Sequence, residues 1–166
     1  MKPFHLKQIR TYLPPYSKEL QEMLNITKER TVVFETGVRG FILGNHVLAP
    51  HCHKEDAIAE KDGQDIPLMF EKTCKYGISR FLLPYDMPVE PLSFRQRAIL
   101  KDTFLFRVFN QIHLCSKFTV TTGKGIYGLD SLDQFCPVFD RHAHLIGMNS
   151  GIFCKKLICI PVEHLV

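Results

Sequence analysis

The sequence predicts an α+β protein, a single domain over residues 1–166 with a mainly antiparallel sheet and a few short helices packed on it. Three observations lead there. Strand-like runs recur along the chain, roughly five or six of them. Only two or three short stretches carry helical spacing, and strand and helix never alternate in the βαβ rhythm of a parallel sheet. A chain of 166 residues is also long enough to bury a core of its own.

Taken in order, residues 1–13 mix polar and apolar side chains and read as extended, punctuated by Pro14-Pro15. Ser17 is a natural N-cap, and Leu20, Met23 and Leu24 fall at helical spacing, so Ser17–Asn25 reads as a short amphipathic helix. Thr27–Arg30 is a charged connector. Thr31–Glu35 reads as a strand, and Gly40–Leu48 as its hairpin partner or a further strand. Residues 49–68 show the least regular pattern. A loop of that length in a compact domain is commonly a lid or an insertion. Tyr76–Leu83 is a strand with one charged residue, Arg80, at its centre. Pro84–Pro91 connects it to another strand, Leu92–Leu100. Asp102 can cap a helix through His113, whose apolar stripe is Leu105, Val108 and Ile112. Phe118–Thr122 is β-prone, Gly123, Gly125 and Gly128 loosen the chain beyond it, and residues 130–135 fit no single pattern. The chain closes on two apolar runs, Phe139–Met148 and Ile152–Pro161, with Asn149-Ser150-Gly151 between them as a hairpin turn.

Composition narrows the function classes. No apolar run approaches the ~20 residues that span a bilayer. The first residues lead into charged side chains and not into the apolar core of a signal peptide, so a cytosolic protein with no membrane partner is expected. A net charge of +4 admits an anionic ligand, but no concentrated basic stripe marks a nucleic-acid partner. A monomer is expected. Cys52, Cys74, Cys115, Cys136, Cys154 and Cys159 form no C-x-x-C pair and read as buried free thiols. His51-Cys52-His53 and His142-Ala143-His144 each offer two imidazoles, but zinc needs three or four converging ligands and the first pair sits in a loop, so no metal is expected. Gly123-Lys124-Gly125 lacks the rest of a phosphate loop, and no G-x-S-x-G elbow occurs.

Arg80 stands apart. A guanidinium in an apolar strand is costly to bury without a partner. Two outcomes satisfy it: an internal salt bridge or exposed edge, or a clamp on a ligand carboxylate, which its planar fork fits in bidentate fashion.

Around Arg80 the chain resembles the chorismate pyruvate-lyase family. Pro14 through Glu35 is similar to the family's opening, with a proline, a short helix and the Phe34-Glu35 pair. Arg80-Phe81-Leu82-Leu83 resembles its arginine-led core strand, Glu90–Arg95 the strand after it, and Arg141–Pro161 the closing hairpin. The resemblance implies a ligand sealed inside an antiparallel sheet with helices packed against it. It implies a reaction that needs no cofactor and no metal, in which chorismate loses pyruvate and aromatises to 4-hydroxybenzoate, the ubiquinone precursor. Arg80 would be catalytic, gripping the ring carboxylate, and the backbone near Arg30 and Cys115 would complete the contacts to a small anionic substrate. The family's last strand carries a glutamate that faces the ligand oxygen, and Leu157 stands there in this chain. That replacement opens a second reading, a non-catalytic module binding a small aromatic carboxylate such as 4-hydroxybenzoate on the same fold.

Overall fold

The computed structural model describes residues 17–50, 55–74, 78–87, 105–108, 112–115, 118–121, 125–128, 135–153 and 156–161. By contact the chain falls into two compact units, Lys28–Glu90 and Met1–Thr27 with Pro91–Leu165. Each holds a sheet of its own. The described residues form one helix and thirteen strands, and every strand pairing is antiparallel. The mainly antiparallel sheet expected from the sequence is therefore present, but the helical share is smaller.

Helix α1 spans Ser17–Glu29, one turn longer than its apolar spacing suggested. Leu20, Met23 and Thr27 are its buried residues. Thr27 closes that last turn by donating its hydroxyl to the Met23 carbonyl at 2.8 Å, the backbonding a threonine uses when it sits inside a helix. Glu19 in the first turn and Lys28 in the last complement the helix dipole.

In the Lys28–Glu90 unit six strands close a barrel: β1 (Thr31–Phe34), β2 (Arg39–Leu43), β3 (His46–Pro50), β4 (Ala57–Lys61), β5 (Gln64–Cys74) and β6 (Ile78–Leu82). Their order around the barrel is β1-β2-β3-β6-β5-β4. Alternation sends Val32, Phe34, Ile42, Val47, Ala59, Ile66, Leu68 and Phe81 into one apolar core. Phe81 is its centre, with ring centroids 5.3 Å from Phe34 and 5.6 Å from Phe70. Gly40 is required there: a Cβ at that position would lie 2.8 Å from a Val47 methyl and 3.0 Å from the Phe34 ring.

Strands β4 and β5 lie in the stretch expected to be an irregular loop. They form a hairpin instead, with Lys61 opposite Gln64 across Asp62-Gly63. Both turn residues have positive φ, 51° and 79°, as a two-residue turn matched to the right-handed twist of its strands demands.

The second unit carries a seven-stranded sheet in the order β8-β7-β11-β12-β13-β10-β9. Its strands are β7 (Leu105–Val108), β8 (Ile112–Cys115), β9 (Phe118–Thr121), β10 (Gly125–Gly128), β11 (Cys136–Asp140), β12 (Leu145–Phe153) and β13 (Lys156–Pro161). The helix expected over 102–113 is absent from this sheet: Leu105 and Val108 belong to one strand and Ile112 to the next, paired with Val108. Spacings of three and four also arise when a short hairpin separates two apolar strand positions, and periodicity alone does not tell the two apart. The glycines at 125 and 128 bound a strand paired to β9 and β13, and not a loose connection. The strand expected at Leu92–Leu100 lies outside the described residues.

The closing hairpin is also displaced. Asn149-Ser150-Gly151 lies inside β12, at an irregularity in its pairing with β13. The two closing strands that pair are β12 and β13, so the first ends later than expected, at Phe153, and a separate turn at 141–144 joins β11 to β12. Asp140 makes it: the carboxylate is wholly buried and its Oδ1 accepts the N–H groups of His142 at 2.8 Å and His144 at 3.0 Å. Ala143 takes the left-handed conformation, φ 61°. Buried strand β11 sits centrally, and Pro137 is tolerated because β7 pairs with β11 only from Val138 onward.

Candidate functional site

The four residues singled out from the sequence are divided between the two units. Arg30 and Arg80 belong to the barrel unit. Cys115 ends β8 and Leu157 sits in β13, paired with Ile152 and Gly128, in the other. Neither unit by itself gathers all four.

Arg80 lies on β6, as its strand pattern required, and its partner comes from within the chain. Nη2 donates to Glu71 Oε1 at 2.7 Å. Between Phe70 and Lys72 the β5–β6 register slips, and this bulge sets Glu71 where its carboxylate reaches both neighbours. The other oxygen, Oε2, lies 2.9 Å from His46 Nε2 on β3. The Arg80 hydrogen bond holds the Glu71 carboxyl below its ordinary value; burial opposes that shift, and the charges of Arg80 and His46 add to it. Of the two outcomes, the internal salt bridge is formed through Nη2, while the buried Nε has no hydrogen-bond partner. Sequence reasoning had no means to name Glu71, nine residues away on a strand it had not placed correctly.

Arg30 is buried, and it extends the β1–β2 ladder by one position. Its carbonyl accepts the Ile42 N–H at 2.8 Å, and its Nη1 donates to the Ile42 carbonyl at 3.0 Å. Burial lowers the guanidinium from its ordinary value, with Glu29 opposing part of the effect.

The histidine pair after β11 serves the turn. His144 Nδ1 lies 3.2 Å from Asp140 Oδ2, and the His142 and His144 ring centroids are 6.0 Å apart. Among the described residues no three histidine, cysteine or acidic side chains gather in a metal-binding cluster. Ser79 is the serine whose side chain is placed on a strand, and its buried Oγ has no hydrogen-bond partner. Cys136 is a buried free thiol.

A different feature of the barrel unit has the form of a site. An open cleft of about 630 Å³ lies where β4, β5 and β6 meet the end of β1. Residues Ile66, Leu68, Ala59 and Phe81 of these strands point into the barrel core. Strand alternation therefore turns Ile58, Pro67, Met69 and Leu82 to the opposite, outer face. Register keeps them together, with Ile58 opposite Pro67 and Met69 opposite Leu82. All four line the cleft. Ile58 is 47% exposed and Met69 60%, two of the four large apolar side chains exposed among the described residues. At the edge stand two carboxylates, Glu35 just past β1 and Asp56 just before β4. Asp56 Oδ1 accepts the Phe70 N–H at 2.8 Å, doing for β5 what a further residue of β4 would have done. A signal for this cleft existed in the sequence: Asp62-Gly63 between alternating runs marks the hairpin that creates its two exposed apolar positions.

No family model matches the sequence, and no curated protein matches it. Solved structures do resemble it in fold. The serine protease of human pathogenic astrovirus superposes with a TM-score of 0.60 over 85% of this chain and 95% of that one, at 12% identity. An inactive mutant of Rv3671c from M. tuberculosis H37Rv gives a TM-score of 0.60 over 86% of each chain, at 9% identity. At these identities the likeness is one of fold alone. No helix among the described residues is long and apolar enough to cross a membrane.

Proposed function

We propose that this chain binds a segment of polypeptide, and that the cleft on the outer face of β4, β5 and β6 is where an apolar side chain of that segment docks. The observation that carries this reading is the pairing of Ile58 and Met69, held exposed beside Pro67 and Leu82 by strand register. Exposed apolar side chains scattered singly need no explanation, whereas a contiguous set in a concavity is the usual mark of a binding surface. Met suits a surface that adapts to several side chains, because it is unbranched and polarisable. The test is an array of immobilised peptides probed with the full chain and with Met69→Asp and Ile58→Asp variants. Peptides with exposed Leu, Ile or Phe should be retained by the parent, and both variants should lose them while keeping the parent's thermal midpoint. Equal retention by parent and variants would remove the cleft from the reading.

A second reading, hydrolysis of the bound polypeptide, is favoured by the likeness in fold to a viral serine protease. In sequence His51 and His53 precede Ser131, the order histidine then serine found in chymotrypsin. Fluorescent casein incubated with the chain, beside His51→Ala, His53→Ala and Ser131→Ala variants, decides it. Release of fluorescence that one of these variants abolishes is the expected sign of catalysis.

Conversion of chorismate to 4-hydroxybenzoate, expected from the family resemblance, is supported less by this geometry. Arg80 spends its Nη2 on Glu71 instead of a ligand carboxylate. Pyruvate release from chorismate, with Arg80→Ala as the control, is the measurement that would restore that reading.

A further inference from the structure

Resting on the peptide-binding reading, the geometry points to a charge preference: we infer that the cleft selects segments in which the docked apolar side chain is next to a lysine or arginine. Among the described residues the charges that line the cleft are of one sign: Glu35 and Asp56 are acidic, and no described lysine, arginine or histidine shares the lining with them. Two other carboxylates of this barrel have cations of their own. Glu71 is paired with Arg80 and His46, and Asp62 lies 3.3 Å from Lys61. Glu35 and Asp56 form no ion pair among the described residues, and the hydrogen bond Asp56 makes uses only Oδ1, leaving Oδ2 available. The chain as a whole carries a net charge of +4, so an apolar cleft whose described charged residues are both carboxylates runs against the average of the molecule.

Two like charges at the edge of a low-polarity cleft repel an anion and attract a cation, and the nearby apolar wall weakens the screening that water provides. The occupant that satisfies both features has an apolar side chain for Ile58, Met69 and Leu82 and a positive charge within reach of Glu35 and Asp56. A peptide with Leu beside Lys or Arg meets this description. An anionic small molecule does not.

The experiment uses the full chain and three fluorescein-labelled peptides identical except for one residue, with Leu followed by Lys, Gln or Glu. Anisotropy titrations at low and high salt should rank them Lys, then Gln, then Glu, with each step roughly three- to fivefold in affinity at low salt. The ranking should narrow at high salt. Glu35→Gln and Asp56→Asn should each lower the Lys preference without changing affinity for the Gln peptide. Asn can still accept the Phe70 N–H, so the strand end is kept, and an unchanged thermal midpoint checks this. Three peptides bound equally would overturn the charge preference while leaving peptide binding in place. A Lys preference that survives both substitutions would place it at another surface and overturn the proposal as well. No binding of any peptide would overturn the reading beneath it. Self-association abolished by Met69→Asp, with no peptide bound, would assign the cleft to a second copy of the chain and overturn both.

Discussion

Glu71 stands with Lys72 at the bulge opposite Arg80, and its two oxygens reach Arg80 and His46 on the two strands that come next around the barrel. Such a partner offsets the cost of holding a guanidinium in an apolar strand, and the pairing has a measurable pH signature. The Glu71 carboxyl is lowered from its ordinary value of 4.5, first by the Arg80 hydrogen bond. A depressed carboxyl contributes stability that is complete above the unfolded value and is lost as pH falls through the folded one. Glu71→Gln should therefore cost about 0.5–1 kcal/mol near neutral pH, the size expected of a partly exposed pair. That difference should shrink as urea unfolding is repeated from about pH 6 down to about pH 3. A difference that stays constant over this range would mean the carboxylate does not engage Arg80. At this scale the sequence showed that Arg80 needed a partner, and it left the partner's identity open. Arg80 and Glu71 are nine positions apart and meet across strands, and His46 is farther still from Glu71 in the chain. No local pattern encodes such separations.

The β4–β5 hairpin illustrates what decides an element. Ala57–Lys61 holds two charged residues and two alanines, a composition with little β-propensity, and Pro67 stands within the partner strand. The strands form because Asp62-Gly63 supplies the turn and the barrel supplies the pairing. Residues 105–115 make the converse case, with a helical spacing overridden by pairing of β7 to both β8 and β11. Gly40 offers a test at the level of the element. Its Cα packs under Val47, Phe34 and Val32, where β2 crosses the barrel core. Gly40→Ala should destabilise by about 1–3 kcal/mol through overpacking, read as a lower midpoint in urea at unchanged slope. Gly40→Ala combined with Val47→Ala should recover part of that loss relative to Val47→Ala alone, because the second truncation clears the space the new methyl needs. Additive costs would show that the two side chains do not meet.

Across the molecule most strand pairings join neighbours in sequence, and four of the twelve among the described residues close longer loops. Strand β3 meets β6, β7 meets β11 and β10 meets β13, each across roughly thirty residues of chain. Closing such loops before the contacts reward it slows folding. Stopped-flow refolding should therefore proceed in milliseconds to seconds, the range of β-rich domains, and not in the microseconds of a helical bundle. A dominant microsecond phase that restores the full native signal would contradict this topology.

By itself the sequence determined that the chain would be rich in antiparallel strands, that a helix would begin at Ser17, that a strand would lie within Tyr76–Leu83 and that Arg80 would need a partner. These are local properties: apolar alternation, a cap, and the cost of an unpaired buried charge. The tertiary structure alone decided that the strands divide between a closed barrel and a second sheet, that Glu71 answers Arg80, and that Ile58 and Met69 share one cleft. Those outcomes depend on register between strands far apart in the chain, and a one-residue slip would turn each of these side chains to the opposite face.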